Sequence, residues 1–257
     1  MFRNKLRPYA KAKDWNKCFC IGPHKTGTTT LNFVFNLLGY DCADQQEIEM
    51  SSVEQVSRGN FTELFRQVEK YDFFQDSPFA QGLNWVALDA KFPNSKFIYT
   101  DRDVDSWFAS LFAFHSKIAS KHSKPIETIK SKEFIEQFPY LRKGYAKANV
   151  EYEYLCRVDD YPSSQTNTDW SLLYDEDHYK AIYRGRREQI IKYFSKRKSD
   201  LLVIDLTKTQ DISPITEFLG MPSWINFSMP RINSTKNEDN NNHIQLLTQE
   251  IKSLMGI

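Results

Sequence analysis

The sequence predicts an α/β chain in which a parallel sheet carries helices on both faces. Three observations predict it. Short apolar runs recur along the chain, bounded by turn and polar residues. Helical patterns lie between them, the alternation of a helix-covered parallel sheet. The first run opens into a glycine-containing loop and an amphipathic helix, CFCIGPHKTGTTTLNFVFNLLGY, residues 18–40.

CFCIG (18–22) is an apolar run ending in glycine, as in a buried strand. Cys18 and Cys20 alternate with Phe19, which places both thiols on one face. After the loop, Leu31, Val34, Phe35 and Leu38 recur at helical spacing, and Gly39 supplies a stop. DFFQ (72–75) and KFIYT (96–100) read as further strands. DLLVIDL (200–206) is the clearest strand by its β-branched and apolar content. A long helix is expected from Asp175 to Lys198, acidic at its start and basic at its end, as the helix dipole favours. NEDNNNH (237–243) reads as a polar linker before a short last helix.

Between about residues 121 and 178 the rhythm breaks. Tyr140, Tyr145, Tyr152, Tyr154, Tyr161, Tyr174 and Trp170 crowd this stretch. It reads as an acceptor-side insertion over the C-terminal edge of the sheet, within a single domain spanning residues 1–257.

Composition narrows the function. The 257 residues carry a net charge of +1, which gives no bulk argument for nucleic acid or membrane binding. Anion binding must come from local clusters. No stretch reaches the ~20 apolar residues of a membrane span. The basic N-terminus lacks the apolar core of a secretory signal. The four cysteines have no metal-ligand spacing, and a reducing, cytoplasmic setting fits them best. The sequons at Asn60, Asn226 and Asn233 read as chance matches in that setting.

The loop carries the chemistry. Gly22 and Gly27 stand at the spacing of a triphosphate-binding loop, G-x-x-x-x-G-K-[ST], yet Thr28 follows Gly27 and the lysine sits inside the loop at Lys25. Loop N–H groups and the next helix's N-terminus face an anion in such a turn. Thr26, Thr28, Thr29 and Thr30 add hydroxyls. Downstream, KFIYTDRDVDSWFASL (96–111) puts Arg102 at a strand end. It puts Ser110 on the polar face of a helix whose core stripe is Val104, Trp107, Phe108 and Leu111. Arginine suits bidentate phosphate binding.

G-x-x-K-T-G-T-T-x-L resembles the 5′-phosphosulfate loop of sulfotransferases that use 3′-phosphoadenosine-5′-phosphosulfate (PAPS). The stretch from Arg102 to Ser110 resembles that family's 3′-phosphate motif, with Val104 replacing the usual proline. The resemblance implies a three-layer P-loop-like sulfotransferase fold. It implies that Gly22, Lys25, Thr26, Gly27, Thr28 and Thr29 hold the 5′ end, with Lys25 stabilising charge at the bridging oxygen. Arg102 and Ser110 would hold the 3′-phosphate. The closing stretch (200–233) echoes the family, so Arg231 and Lys236 are expected near that phosphate, although the glycine-rich closing loop is missing. The implied reaction moves a sulfuryl group from PAPS to a hydroxyl or amine of an acceptor, a carbohydrate or small molecule. It leaves 3′,5′-ADP (PAP) and needs no metal.

Such transfer needs a base. Asp76, in FFQDSPF (73–79), stands first and His24 second; His115 and His178 are further candidates. Two other readings stand beside this one. One is a P-loop nucleotide kinase or phosphotransferase, with Asp205 at a strand end for magnesium. The other is a non-catalytic module that binds 3′,5′-ADP or PAPS.

Overall fold

The computed structural model describes residues 2–121, 129–138, 145–155, 157–160, 165–232 and 237–254. Cys156, Tyr140 and Tyr161 lie outside them. The chain runs α1 (Phe2–Lys11), β1 (Cys18–Cys20), α2 (Thr28–Leu38), α3 (Gln45–Ser57), α4 (Thr62–Val68), β2 (Phe73–Phe74), α5 (Asn84–Lys91) and β3 (Lys96–Thr100). It continues α6 (Val104–Lys121), α7 (Lys132–Gln137), α8 (Tyr145–Glu153), β4 (Arg157–Asp160), β5 (Gln165–Thr168), α9 (Glu176–Tyr193), β6 (Leu201–Ile204), α10 (Ser213–Phe218) and α11 (Asn237–Leu254). Two compact units emerge. One comprises Met1–Gln45, Gln67–Arg102 and Phe194–Ile257; the other comprises Gln46–Arg66 and Asp103–Tyr193.

The first unit is built on a parallel sheet of order β2-β1-β3-β6. The strands are those expected from the apolar runs. Register pairs Phe19 with Phe74 on one side and with Phe97 on the other, and Cys20 with Ile98. The period of two then sorts the two faces. Cys18, Cys20, Phe73, Ile98 and Ile204 join Leu6, Leu31, Val34, Phe35, Leu38, Ile215, Leu247 and Ile251 in one core, which packs α1, α2, α10 and α11 against the sheet. On the other face Phe19 packs against Phe74, Phe79, Phe92 and Phe97, and Phe97 packs on Phe194. The fold is therefore α/β, a parallel sheet flanked by helices, as the alternation predicts.

α2 runs over Thr28–Leu38 and ends on Gly39, whose φ is +97°. Its expected stripe is buried. One expectation is corrected: the polar run 237–243 is not a linker but the first turns of α11. Asparagine and aspartate are weak helix formers. Leu247 and Ile251, one helical turn apart, bury in the core, and the helix extends back from that anchor.

The second unit has its own core, built largely from α6, α8 and α9. Trp107, Phe108 and Leu111 bury as the stripe predicts, and Trp107 packs on Tyr183. The tyrosine-rich stretch resolves into α7, α8 and the antiparallel pair β4–β5. Tyr145, Tyr154 and Tyr174 are core residues here, with Tyr154 stacked on Tyr179 at 4.3 Å. The long helix starts as expected, with Asp175 accepting from the His178 N–H at 2.8 Å. It gives way to 3₁₀ turns after Tyr193, before Lys198.

Two glycines make opposite predictions. A Cβ on Gly22 would stand 2.2–2.6 Å from Thr100 atoms, two of them backbone, whereas one on Gly185 in α9 meets nothing within 4 Å. Gly22→Ala is expected to cost about 3 kcal/mol, the upper end of overpacking. Gly185→Ala should gain about 0.5–1 kcal/mol in a helix interior. Urea midpoints of the two variants check both signs.

Candidate active site

Three adjacent strands, β2, β1 and β3, deliver the functional residues from their carboxyl ends, where ligands of open α/β sheets bind. β1 feeds the loop 21–27, β2 feeds Asp76, and β3 feeds Thr100 and Arg102.

The loop is folded by its contact with the end of β3. Gly22 lies against Thr100 so closely that no side chain fits. The Thr26 hydroxyl meets the Thr100 hydroxyl at 2.6 Å and donates to the Pro23 carbonyl. That donation spends the Thr26 proton, so Thr100 must be the donor to Thr26. Behind Thr100 lies the Cys20 thiol at 3.7 Å, pushed by burial up to about 12 and inert as a nucleophile. Arg102 donates from Nη1 to the Lys25 carbonyl at 2.8 Å. Lys25 and Gly27 both have positive φ, +67° and +100°. The loop thereby turns back on itself before α2 begins. Thr28 opens α2.

Lys25 is half-buried. Burial holds its pKa below the usual lysine value; Asp76 partly offsets this, and Arg102 adds to it. Two cations, Lys25 and Arg102, thus lie together at the loop, and their mutual repulsion is felt at Lys25.

Asp76 stands opposite, at φ +61°. Its carboxylate meets His24 Nδ1 at 2.7 Å and accepts from the Ser77 N–H at 3.0 Å and the Thr28 hydroxyl at 3.3 Å. Burial pushes this carboxyl up, but the His24 imidazole and those two donors more than offset it, so its pKa lies below the usual carboxylate range. The turn that presents it is pinned from behind. Asn84 Nδ2 donates to the Pro78 carbonyl at 2.7 Å, and Gln45 Nε2 to the Ser77 carbonyl at 2.6 Å.

The structure therefore brings together Gly22, His24, Lys25, Thr26, Gly27, Thr28, Asp76 and Arg102. Thr29 is exposed on the first turn of α2. Ser110 is half-buried on α6 in the second unit, and Arg231 is exposed in the first. Lys236 lies outside the described residues. His115 and His178 belong to the second unit's packing: His115 Nδ1 meets the Tyr174 hydroxyl at 2.7 Å, and His178 Nε2 meets the Tyr154 carbonyl at 2.6 Å. Asp205 accepts from the Thr207 N–H and hydroxyl at 2.9 and 2.6 Å and pairs with Lys208 at 3.1 Å, the pattern of a turn former. Among the described residues no group of three or more His, Cys, Asp or Glu side chains is placed to hold a metal ion, and no helix is long and apolar enough to cross a membrane.

Sequence reasoning passed over Thr100, Asn84 and Gln45. Thr100 had a signal, since it ends the strand just before Arg102. The two amides act across the fold on backbone carbonyls, which no local pattern reveals.

The chain belongs to the sulfotransferase domain family, whose model matches residues 17–237. No curated protein gives a significant match. Membership makes sulfuryl transfer the general activity, with a sulfonate donor and an acceptor as the two substrates.

The depressed Asp76 pKa sets a pH signature. A carboxylate whose folded pKa lies below its unfolded value of about 3.9 contributes stability above that pH and loses it as pH falls through the folded value. The stability gap between wild type and Asp76→Asn should therefore shrink below about pH 4. Chemical denaturation of both proteins across that range checks it.

Proposed function

We propose that this protein transfers a sulfuryl group from PAPS to a hydroxyl or amine of a carbohydrate or small-molecule acceptor. The observation that carries the reading is the pair of cations, Lys25 and Arg102, joined through the Lys25 carbonyl on a loop shaped for an anion. Gly22, Thr26, Gly27, Thr28 and Thr29 frame the 5′ end of the donor, and Arg102 takes the 3′-phosphate. The sequence motifs, rather than the geometry, extend that second assignment to Ser110, Arg231 and Lys236.

PAPS supplies the sulfuryl group and leaves as 3′,5′-ADP. The chain's own work is to hold, orient and move one proton. His24 Nδ1 is turned to Asp76, which fixes the tautomer with its lone pair on Nε2. That nitrogen accepts the proton of the acceptor hydroxyl as its oxygen bonds to sulfur. Asp76, already accepting from three donors and held ionised, orients His24 and balances the imidazolium that forms. As the sulfur–oxygen bond to the 5′-phosphate breaks, charge grows on the phosphate oxygens, and the Lys25 ammonium faces it.

Three outcomes test this. The protein should bind 3′,5′-ADP more tightly than 5′-AMP by calorimetry; equal affinities would sink the donor assignment. Lys25→Ala should lower kcat by about 10²–10³, the worth of one donor aimed at developing charge, with a smaller loss in 3′,5′-ADP affinity. An anion beside Lys25 raises its pKa, so binding takes up a proton and weakens as pH rises through the free-protein value, below the usual ~10.4. Affinity for 3′,5′-ADP should fall with rising alkaline pH in the wild type, at a pH below that of an ordinary lysine, and stay flat there in Lys25→Arg, since arginine remains charged throughout.

A further inference from the structure

The Arg102 guanidinium donates to the backbone carbonyl of Lys25 at 2.8 Å. Lys25 has a φ of +67°. Left-handed backbone is costly for a residue with a side chain and persists only where its surroundings hold it. Here two neighbours hold it. Arg102 binds the carbonyl of Lys25 itself, and the next residue, Thr26, is tied by its hydroxyl to Thr100 at 2.6 Å. The aim of the Lys25 ammonium follows from that backbone, because the direction of Cα–Cβ is set by φ and ψ. Arg102 also acts on Lys25 through its charge, which adds to the lowering of the lysine pKa.

We propose that Arg102 is a positioning residue for Lys25 as well as a phosphate ligand, so that capture of the donor's 3′-phosphate is coupled to the cation at the 5′ end. This rests on the PAPS reading above. A side chain that only gripped the 3′-phosphate would matter only to ligands that carry one. A brace on Lys25 matters to every ligand that Lys25 meets. It also gives donor selection a catalytic component: the side chain that takes the 3′-phosphate is the one that aims Lys25.

The test is a double-mutant cycle read by calorimetry with 5′-AMP, which has no 3′-phosphate. Arg102→Ala should weaken 5′-AMP by about tenfold, the worth of one charge-assisted hydrogen bond. In a Lys25→Ala background the same change should cost about twofold or less, since the brace then has nothing to aim. Unchanged 5′-AMP affinity in Arg102→Ala overturns the proposal. So does a loss in the wild-type background equal to or smaller than that in Lys25→Ala, because relief of the repulsion between the two cations can only lessen the loss where Lys25 is present. Arg102→Lys keeps the charge and one donor for the carbonyl. It should retain most 5′-AMP affinity while losing most of the preference for 3′,5′-ADP, which needs the planar fork. If Arg102→Ala does not fold, Arg102→Lys in the same cycle decides the question: a large 5′-AMP loss independent of Lys25 overturns the brace. With saturating PAPS, kcat of Arg102→Ala should fall as well as KM rise; a change in KM alone counts against the coupling. If the wild type does not prefer 3′,5′-ADP over 5′-AMP, the donor reading itself fails. If it does and the cycle is additive, only the coupling fails.

Discussion

The end of β3 is the template on which the anion loop is folded. Residues 100–102 offer three successive holds: backbone and hydroxyl against Gly22, a hydroxyl for Thr26, and a guanidinium for the Lys25 carbonyl. Each hold answers a different problem. Gly22 lets two backbones approach where a Cβ has no room. Thr26 supplies an internal acceptor in a buried place where a free hydroxyl would be costly. Arg102 holds a backbone conformation that lysine does not choose by itself. The parallel register of β1 with β3, Cys20 opposite Ile98, is what lets these holds meet the loop.

Charge in the site is balanced by position. Lys25 and Arg102 repel, and burial adds to the cost on Lys25. Asp76 relieves part of that cost but is itself bound by His24, Ser77 and Thr28. The carboxylate is therefore held in place by these three donors while its charge still reaches Lys25. In the mechanism we propose, Asp76 therefore orients and His24 accepts the proton, whereas the sequence reading put Asp76 first. The adjacency of Asp76 to a buried strand and a proline was visible there; its three donors were not.

Much of the sheet was legible because buried parallel strands write themselves as apolar runs. All four runs became strands of one sheet. The α2 and α6 stripes were legible for the same reason, since the helical period survives in the sequence. The start of α11 was not, because asparagine propensity points one way and tertiary anchoring by Leu247 and Ile251 the other. The tyrosines of the insertion were ambiguous by type. Burial decides for Tyr145, Tyr154 and Tyr174, which pack rather than display their rings. In the site, loop residues and Arg102 could be found by spacing. Thr100 was marked only by its place at the end of the strand before Arg102, and Asn84 and Gln45 carried no local mark, because each contributes through a distant backbone partner.

Moving the lysine out of the helix and into the loop changes what controls it. In a triphosphate loop the lysine directly follows the second glycine, where the helix begins and its ladder sets the backbone. Here the helix begins at Thr28, and Lys25 precedes it with a left-handed φ. Lys25 lies outside that helix, three residues before its start. Its backbone is answerable instead to the neighbouring strand, through Arg102, a side chain that sequence motif and charge both direct at phosphate. A lysine at the helix start is positioned by local hydrogen bonds that form whenever the helix forms. Lys25, in the loop, meets instead a contact across 77 residues of sequence, made by the arginine to which the proposed function gives the 3′-phosphate. On the reading we propose, the shift of the lysine's place in the motif thus exchanges a locally fixed cation for one whose aim depends on the side chain that takes the 3′-phosphate.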